Sequence, residues 1–125
     1  MAKNINLTAA EEKLAKLIWR ETPMTSPELV ALADQEMSWK KSTTFTVLKK
    51  LCDKGVFKNE NAKLSVVLTH DELIAQKSLY FIEDTFGGSL PGFITSFMSQ
   101  KKLTAEQASE IRQLIDEHEG GARNG

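Results

Sequence analysis

Four times in this chain a threonine is followed three residues later by Glu or Gln: Thr8 with Glu11, Thr25 with Glu28, Thr69 with Glu72, and Thr104 with Gln107. This is the capping-box pattern, in which the hydroxyl accepts the N3 backbone N–H of a helix and the N3 side chain returns a bond to the cap. It marks where helices begin, and so commits much of the chain to helix before any other feature is weighed. The first helix is expected from Thr8 to about Arg20. Ala10, Leu14, Leu17 and Ile18 form its buried stripe, Leu7 sits at the staple position, and Pro23 stops it. A shorter helix, about 26–35, follows the second box, with Pro27 in the first turn, where a missing N–H costs little.

The next helix, from about Ser42 to Lys54, lacks a box but has a glycine stop in Gly55. Thr44, Val47, Leu48 and Leu51 share one face at i, i+3, i+4, i+7 spacing. Ser42, Thr46, Lys49, Lys50 and, nearer the flank, Phe45 are left facing outward. Val56-Phe57-Lys58 and Leu64-Ser65-Val66-Val67-Leu68 are β-branched runs on either side of the polar stretch Asn59–Lys63, which predicts a hairpin. The third box opens a helix over about 71–86, ended by Gly87-Gly88 and apolar on more than one side. Ser89-Leu90-Pro91 begins another, with Phe93, Ile94, Phe97 and Met98, and Thr104 caps a last one with Ala108, Ile111, Leu114 and Ile115 inside.

The expected fold class is therefore mainly α with a small β-hairpin: a winged helix-turn-helix head over 1–70, a C-terminal helical dimerisation arm over 71–119, and a disordered tail over 120–125. The arm holds more large apolar groups than a monomeric surface needs, and burial against a second copy explains them. Tyr80, Phe81, Phe86, Phe93, Phe97, Ile111, Leu114 and Ile115 are the expected dimer contacts.

Net charge, −1 overall, hides an asymmetry. Residues 1–70 carry eleven Lys/Arg against eight Asp/Glu, and residues 71–125 carry five against nine. Lys40, Lys41, Lys49, Lys50 and Lys54 crowd into residues 40–54, the footprint expected of a segment that approaches phosphates. The B-DNA major groove, about 12 Å wide, admits one helix. Lys41, Lys49 and Lys50 would then meet phosphates. Ser42, Thr43 and Thr46 would bond bases or phosphates, Phe45 would rest on a thymine methyl, and Lys58 and Lys63 would be the wing's contribution.

Other classes find little support. The one cysteine, Cys52, cannot make an internal disulfide, and with only His70 and His118 beside it no zinc spacing arises, so neither metal nor cofactor is expected. There is no glycine-rich phosphate loop and no nucleophile with a base at a recognisable spacing, so no enzyme is expected and no catalytic residue is assigned. The N-terminus, Met1-Ala2-Lys3-Asn4-Ile5-Asn6, lacks an apolar signal core, and no apolar run approaches the roughly 18 residues of a membrane span. A cytoplasmic protein without membrane partners is expected. Trp19 and Trp39 are read as cementing the head, Cys52 as a small buried hydrophobe, and the histidines as capping or exposed. Phe93, Phe97 and Met98 are read as core or interface rather than a ligand pocket. A winged helix that has lost DNA and binds protein partners remains the alternative.

Leu7-Thr8-Ala9-Ala10-Glu11 with Trp19, then Trp39, Thr43-Thr44-Phe45-Thr46-Val47-Leu48-Lys49-Lys50-Leu51 and Lys54-Gly55, resemble the penicillinase-repressor family. Phe86-Gly87-Gly88-Ser89, Phe97 and Leu103-Thr104 extend the resemblance into the family's C-terminal dimerisation region, so that it covers nearly the whole chain. The resemblance implies a homodimer on double-stranded DNA, at a pseudo-palindromic operator of the TACA/TGTA kind, released by an inducing signal through a sensor or protease. It is closer to the β-lactam-responsive (BlaI/MecI) branch than to the copper-responsive one, whose C-terminal paired cysteines are missing here. Where the former is cut at an Asn-Phe bond, this chain has Ser96-Phe97, the candidate cleavage position.

Overall fold

The computed structural model describes residues 3–124, with side chains to residue 119. The elements run α1 (Ala9–Glu21), β1 (Met24–Thr25), α2 (Ser26–Met37), α3 (Lys41–Asp53), β2 (Phe57–Glu60), β3 (Lys63–Val66), α4 (His70–Phe86), α5 (Leu90–Gln100) and α6 (Ala105–Asn124). The capping boxes at Thr8 and Thr25 are closed in both directions. At Thr69 and Thr104 the threonine hydroxyl likewise accepts the N3 backbone N–H while the N3 side chain takes the threonine N–H. Helix α2 ends on Ser38 in the left-handed region, φ 55°, which turns the chain sharply into α3.

Two expectations about the hairpin change. The strands extend through the polar stretch, and the connection shrinks to Asn61-Ala62, at φ 51° and 66°. Two left-handed residues at a two-residue connection give a turn whose twist matches that of the strands, so polar side chains on the wet face do not interrupt the ladder. Beyond Val66 the chain leaves the ladder, and the N–H groups of Val67 and Leu68 both donate to Val56 O. The two-residue strand β1, unforeseen from sequence, pairs with β3 and makes a three-stranded antiparallel sheet in the order β1-β3-β2.

The chain divides into two compact units, one up to Glu83 and one from Asp84, so the division falls within α4. In the first unit α1, α2, α3 and the sheet enclose one core, in which Leu14, Ile18, Leu29, Leu51, Val56 and Phe57 are wholly buried. The start of α4 belongs with it, because Leu73 is buried in that core. Trp19 cements the joint: its indole N–H donates to Leu68 O at 3.0 Å, and its ring lies 5.5 Å from Phe57 and stacks on His70 at 4.7 Å. His70, exposed at the first position of α4, is thus partnered by stacking. Trp39 and Cys52 are half-buried against the core, and burial pushes the Cys52 thiol up from its ordinary pKa, with Asp53 adding to the effect.

In the second unit Phe86, Phe93 and Phe97 form an aromatic ladder, with centroids 5.7 and 6.5 Å apart. Helix α5 fully buries none of its residues. Helix α6 carries helical backbone to Asn124, into the segment expected as a disordered tail; Gly125 lies outside the described residues.

Candidate nucleic-acid interface

Helix α3 is oriented by its apolar stripe. Thr44, Val47, Leu48 and Leu51 are buried, as the spacing predicts, and this forces Lys41, Ser42, Thr43, Thr46, Lys49 and Lys50 into water on the opposite face. Two hydroxyls are engaged by their own helix: Thr44 Oγ1 donates to Lys40 O at 3.1 Å and Thr46 Oγ1 to Ser42 O at 2.9 Å. The Thr46 oxygen can still accept a bond from a DNA base. Lys40, at the N-cap, makes no side-chain capping bond, so the first N–H groups of α3 are open to an anion such as a phosphate.

The basic cluster divides on folding. Lys49 lies 3.7 Å from Asp53 one turn on, with both side chains mostly exposed, a weak pairing with a single carboxylate that a phosphate can displace. Lys54, in contrast, is turned inward: its ammonium bonds Glu11 Oε1 and, at 2.7 Å, Asn6 O. Glu11 is 2% exposed, and sequence alone placed it only in a capping box. Burial by itself raises its pKa. The Lys54 ammonium and the Thr8 backbone N–H outweigh that and hold the carboxyl below its ordinary value.

Phe45, expected to face outward, is half-buried and packs against the head core, with Lys41 Nζ 6.0 Å from its ring. On the sheet, Lys58 and Lys63 are exposed, Lys58 directly opposite Ser65 and Lys63 opposite Glu60. Across α1 and α2, Arg20 bonds both Glu36 and Glu21, whose carboxylates push its guanidinium pKa further up; this leaves it a structural cation. Among the described residues no group of His, Cys, Asp and Glu is arranged to hold a metal ion, and no helix is long and apolar enough to cross a membrane.

The expected dimer contacts lie along α4, α5 and α6. Phe81, Phe97, Leu114 and Ile115 are 46%, 41%, 64% and 56% exposed, while Tyr80, Phe86, Phe93 and Ile111 are half-buried. Between α5 and α6 an apolar cleft of about 270 Å³ is lined chiefly by Phe93, Phe97, Leu103, Ile111 and Leu114. Ser96 and Phe97 sit within α5, where Ser96 O accepts the Ser99 hydroxyl at 2.6 Å and Phe97 O accepts the Lys101 N–H at 3.0 Å.

Helix α2, a sharp turn, a helix whose wet face is lysine and hydroxyl, and a hairpin braced by a third strand together define a winged helix-turn-helix DNA-binding head. The profile of the penicillinase repressor family matches residues 7–117. The penicillinase repressor of Bacillus licheniformis is 25% identical over 122 residues, covering 94% of this chain and 95% of that protein. The chain belongs to the penicillinase repressor family and is a DNA-binding transcriptional repressor.

Proposed function

We propose that the protein works as a homodimer on a pseudo-palindromic operator of the TACA/TGTA kind and is released from it by an inducing signal that reaches the helical arm. The observation that carries this reading is a separation of surfaces. Among the described residues, lysines and hydroxyls are exposed on α3 and the sheet, whereas every exposed large apolar residue except Val67 lies on α4, α5 or α6. Two copies joined through the arm would present two α3 helices, and two half-sites about one helical turn apart require such a pair. Lys41, Lys49, Lys50 and Lys58 would hold phosphates, and Ser42, Thr43 and Thr46 would meet base edges. Phe45 would reach a thymine methyl only with the part of its ring left uncovered.

Release by proteolysis at Ser96-Phe97 fits this scheme. The bond lies in a hydrogen-bonded helical turn, so a protease would act after local opening of α5, a helix that buries no residue completely. Loss of α6 would remove Ile111, Leu114 and Ile115 from the interface.

The test combines sedimentation velocity on the purified chain with fluorescence anisotropy on a TACA/TGTA palindrome and a scrambled duplex at two salt concentrations. A dimer with salt-sensitive preference for the palindrome is the expected outcome. A monomer at micromolar concentration, or equal affinity for both duplexes, overturns the reading.

A further inference from the structure

Residues directly opposite each other on an antiparallel ladder project from the same side of the sheet. The register Thr25 to Lys63 and Lys63 to Glu60 therefore sets these three in one row across β1, β3 and β2, with the lysine in the middle. Carboxylates lie on both flanks of that row. Glu60 is the direct partner of Lys63 on one side. On the other, Thr25 Oγ1 is bonded to Glu28 Oε1 at 3.0 Å, and the Thr25 N–H and hydroxyl hold that carboxyl below its usual pKa, hence ionised. Opposed Cβ atoms stand only about 4.5–5.5 Å apart, so the Glu60 charge acts on Lys63 through its field, at less than a Debye length, although among the described residues the two make no direct ion pair. Lys58 is placed differently: it faces Ser65, and its distance from Glu60 along the strand is about 6.8 Å, two residues of rise. The arrangement is held in place, because the turn carbonyl Ala62 O accepts the Ser26 N–H at 2.8 Å and ties the wing tip to the start of α2.

We infer that the two wing lysines are not equivalent: Lys58 supplies the wing's hold on the DNA backbone, while Lys63 is compensated by its flanking carboxylates, with Glu60 acting as an electrostatic brake. The inference rests on the DNA-binding reading of the head. Phosphate contacts carry no sequence information, so a carboxylate beside them lowers affinity for every duplex alike. Base contacts from α3 then supply a larger share of the total binding. Glu60 is thereby a determinant of selectivity without touching a base.

The brake acts on the sequence-independent part of binding, so the test needs no knowledge of the operator. The full chain is titrated by anisotropy against a mixed-sequence duplex of about 30 base pairs, long enough for two half-sites, over a range of salt concentrations. The variants are Lys58→Ala, Lys63→Ala, Glu60→Gln and the double variant Glu60→Gln/Lys63→Ala, each checked for its fold by circular dichroism. With two wings per dimer, Lys58→Ala is expected to weaken binding several-fold and reduce the log–log salt slope by about 2. Lys63→Ala changes affinity less than about twofold, and Glu60→Gln tightens it about threefold per wing at low salt, as a carboxylate roughly 7 Å from a phosphate requires. In the Glu60→Gln background, Lys63→Ala costs several-fold, and that coupling is what a merely structural role for either residue would not produce. Equal losses for Lys58→Ala and Lys63→Ala, or an unchanged Kd for Glu60→Gln, overturn the inference while leaving DNA binding intact. A wild-type chain that binds no duplex in a salt-dependent way removes the DNA reading of the wing, and the inference with it.

Discussion

Replacing Lys54 with methionine removes the charge that compensates Glu11 and keeps most of the apolar stem. Glu11 has a 3% exposed side chain, whereas that of Lys54 is 34% exposed. Breaking a fully buried pair by removing one partner costs about 3–5 kcal/mol, because a charge stays behind unpaired. With one partner a third in water, the expected loss is about 2–3 kcal/mol at about pH 7. In a head of this size that lowers Tm by about 10–20 °C. Glu11→Gln/Lys54→Met keeps the capping box with Thr8, buries no charge, and returns to within about 1 kcal/mol of wild type. The pH dependence gives an independent check. Glu11 is held below its ordinary pKa in the fold, so its contribution to wild-type stability is complete above the unfolded value, about 4.3, and is lost as pH falls through the lower folded value. In Lys54→Met, burial is opposed only by the Thr8 backbone N–H and the Lys50 charge, so that pKa lies higher than in wild type and the variant recovers relative to wild type as pH falls toward 4. Urea denaturation of the full chain, followed by circular dichroism at several pH values, measures both effects. A deficit under about 0.5 kcal/mol at neutral pH, or one that stays constant down to acid, would refute this account of the buried pair.

Other outcomes follow from the same geometry. Lys50→Ala, on the exposed face of α3, should weaken operator and scrambled duplex alike and reduce the salt slope by about 2 for a dimer; a loss confined to the operator would make it a base contact instead. Ala62→Gly removes the cost of holding a Cβ at φ 66° and should stabilise the protein by about 1 kcal/mol, read as a higher urea midpoint at unchanged m-value. In the proposed dimer, Leu114→Glu places a charge at an apolar residue that is 64% exposed in the single chain, and should yield a monomer in sedimentation while the head keeps its helical signal; association of unchanged strength would move the proposed interface elsewhere. Trp19→Phe gives up the indole bond to Leu68 O and should cost about 1 kcal/mol of stability, since a partly buried carbonyl then loses its donor.

Local chemistry in the sequence determined where four of the helices begin, which faces of α1 and α3 are buried, and that a hairpin follows the third helix. A capping box acts within four residues, and an apolar stripe within two turns, so Thr8, Thr25, Thr69 and Thr104, and the Thr44, Val47, Leu48, Leu51 face, are readable without any distant partner. The exposed basic face of α3 followed from that stripe, because a helix that buries one side must show the other. Tertiary structure decided what depends on residues far apart along the chain. Lys54 belonged to a basic cluster until the fold set Glu11, 43 residues away in sequence, against it. The strand Met24–Thr25 has too few residues to carry a periodicity and exists because β3 is there to pair with it. The opposition of Lys63 to Glu60 required a strand register, which a two-residue turn sets and composition does not. Short-range bonding is written in adjacent letters; the partner of a charge is chosen only when the chain closes on itself.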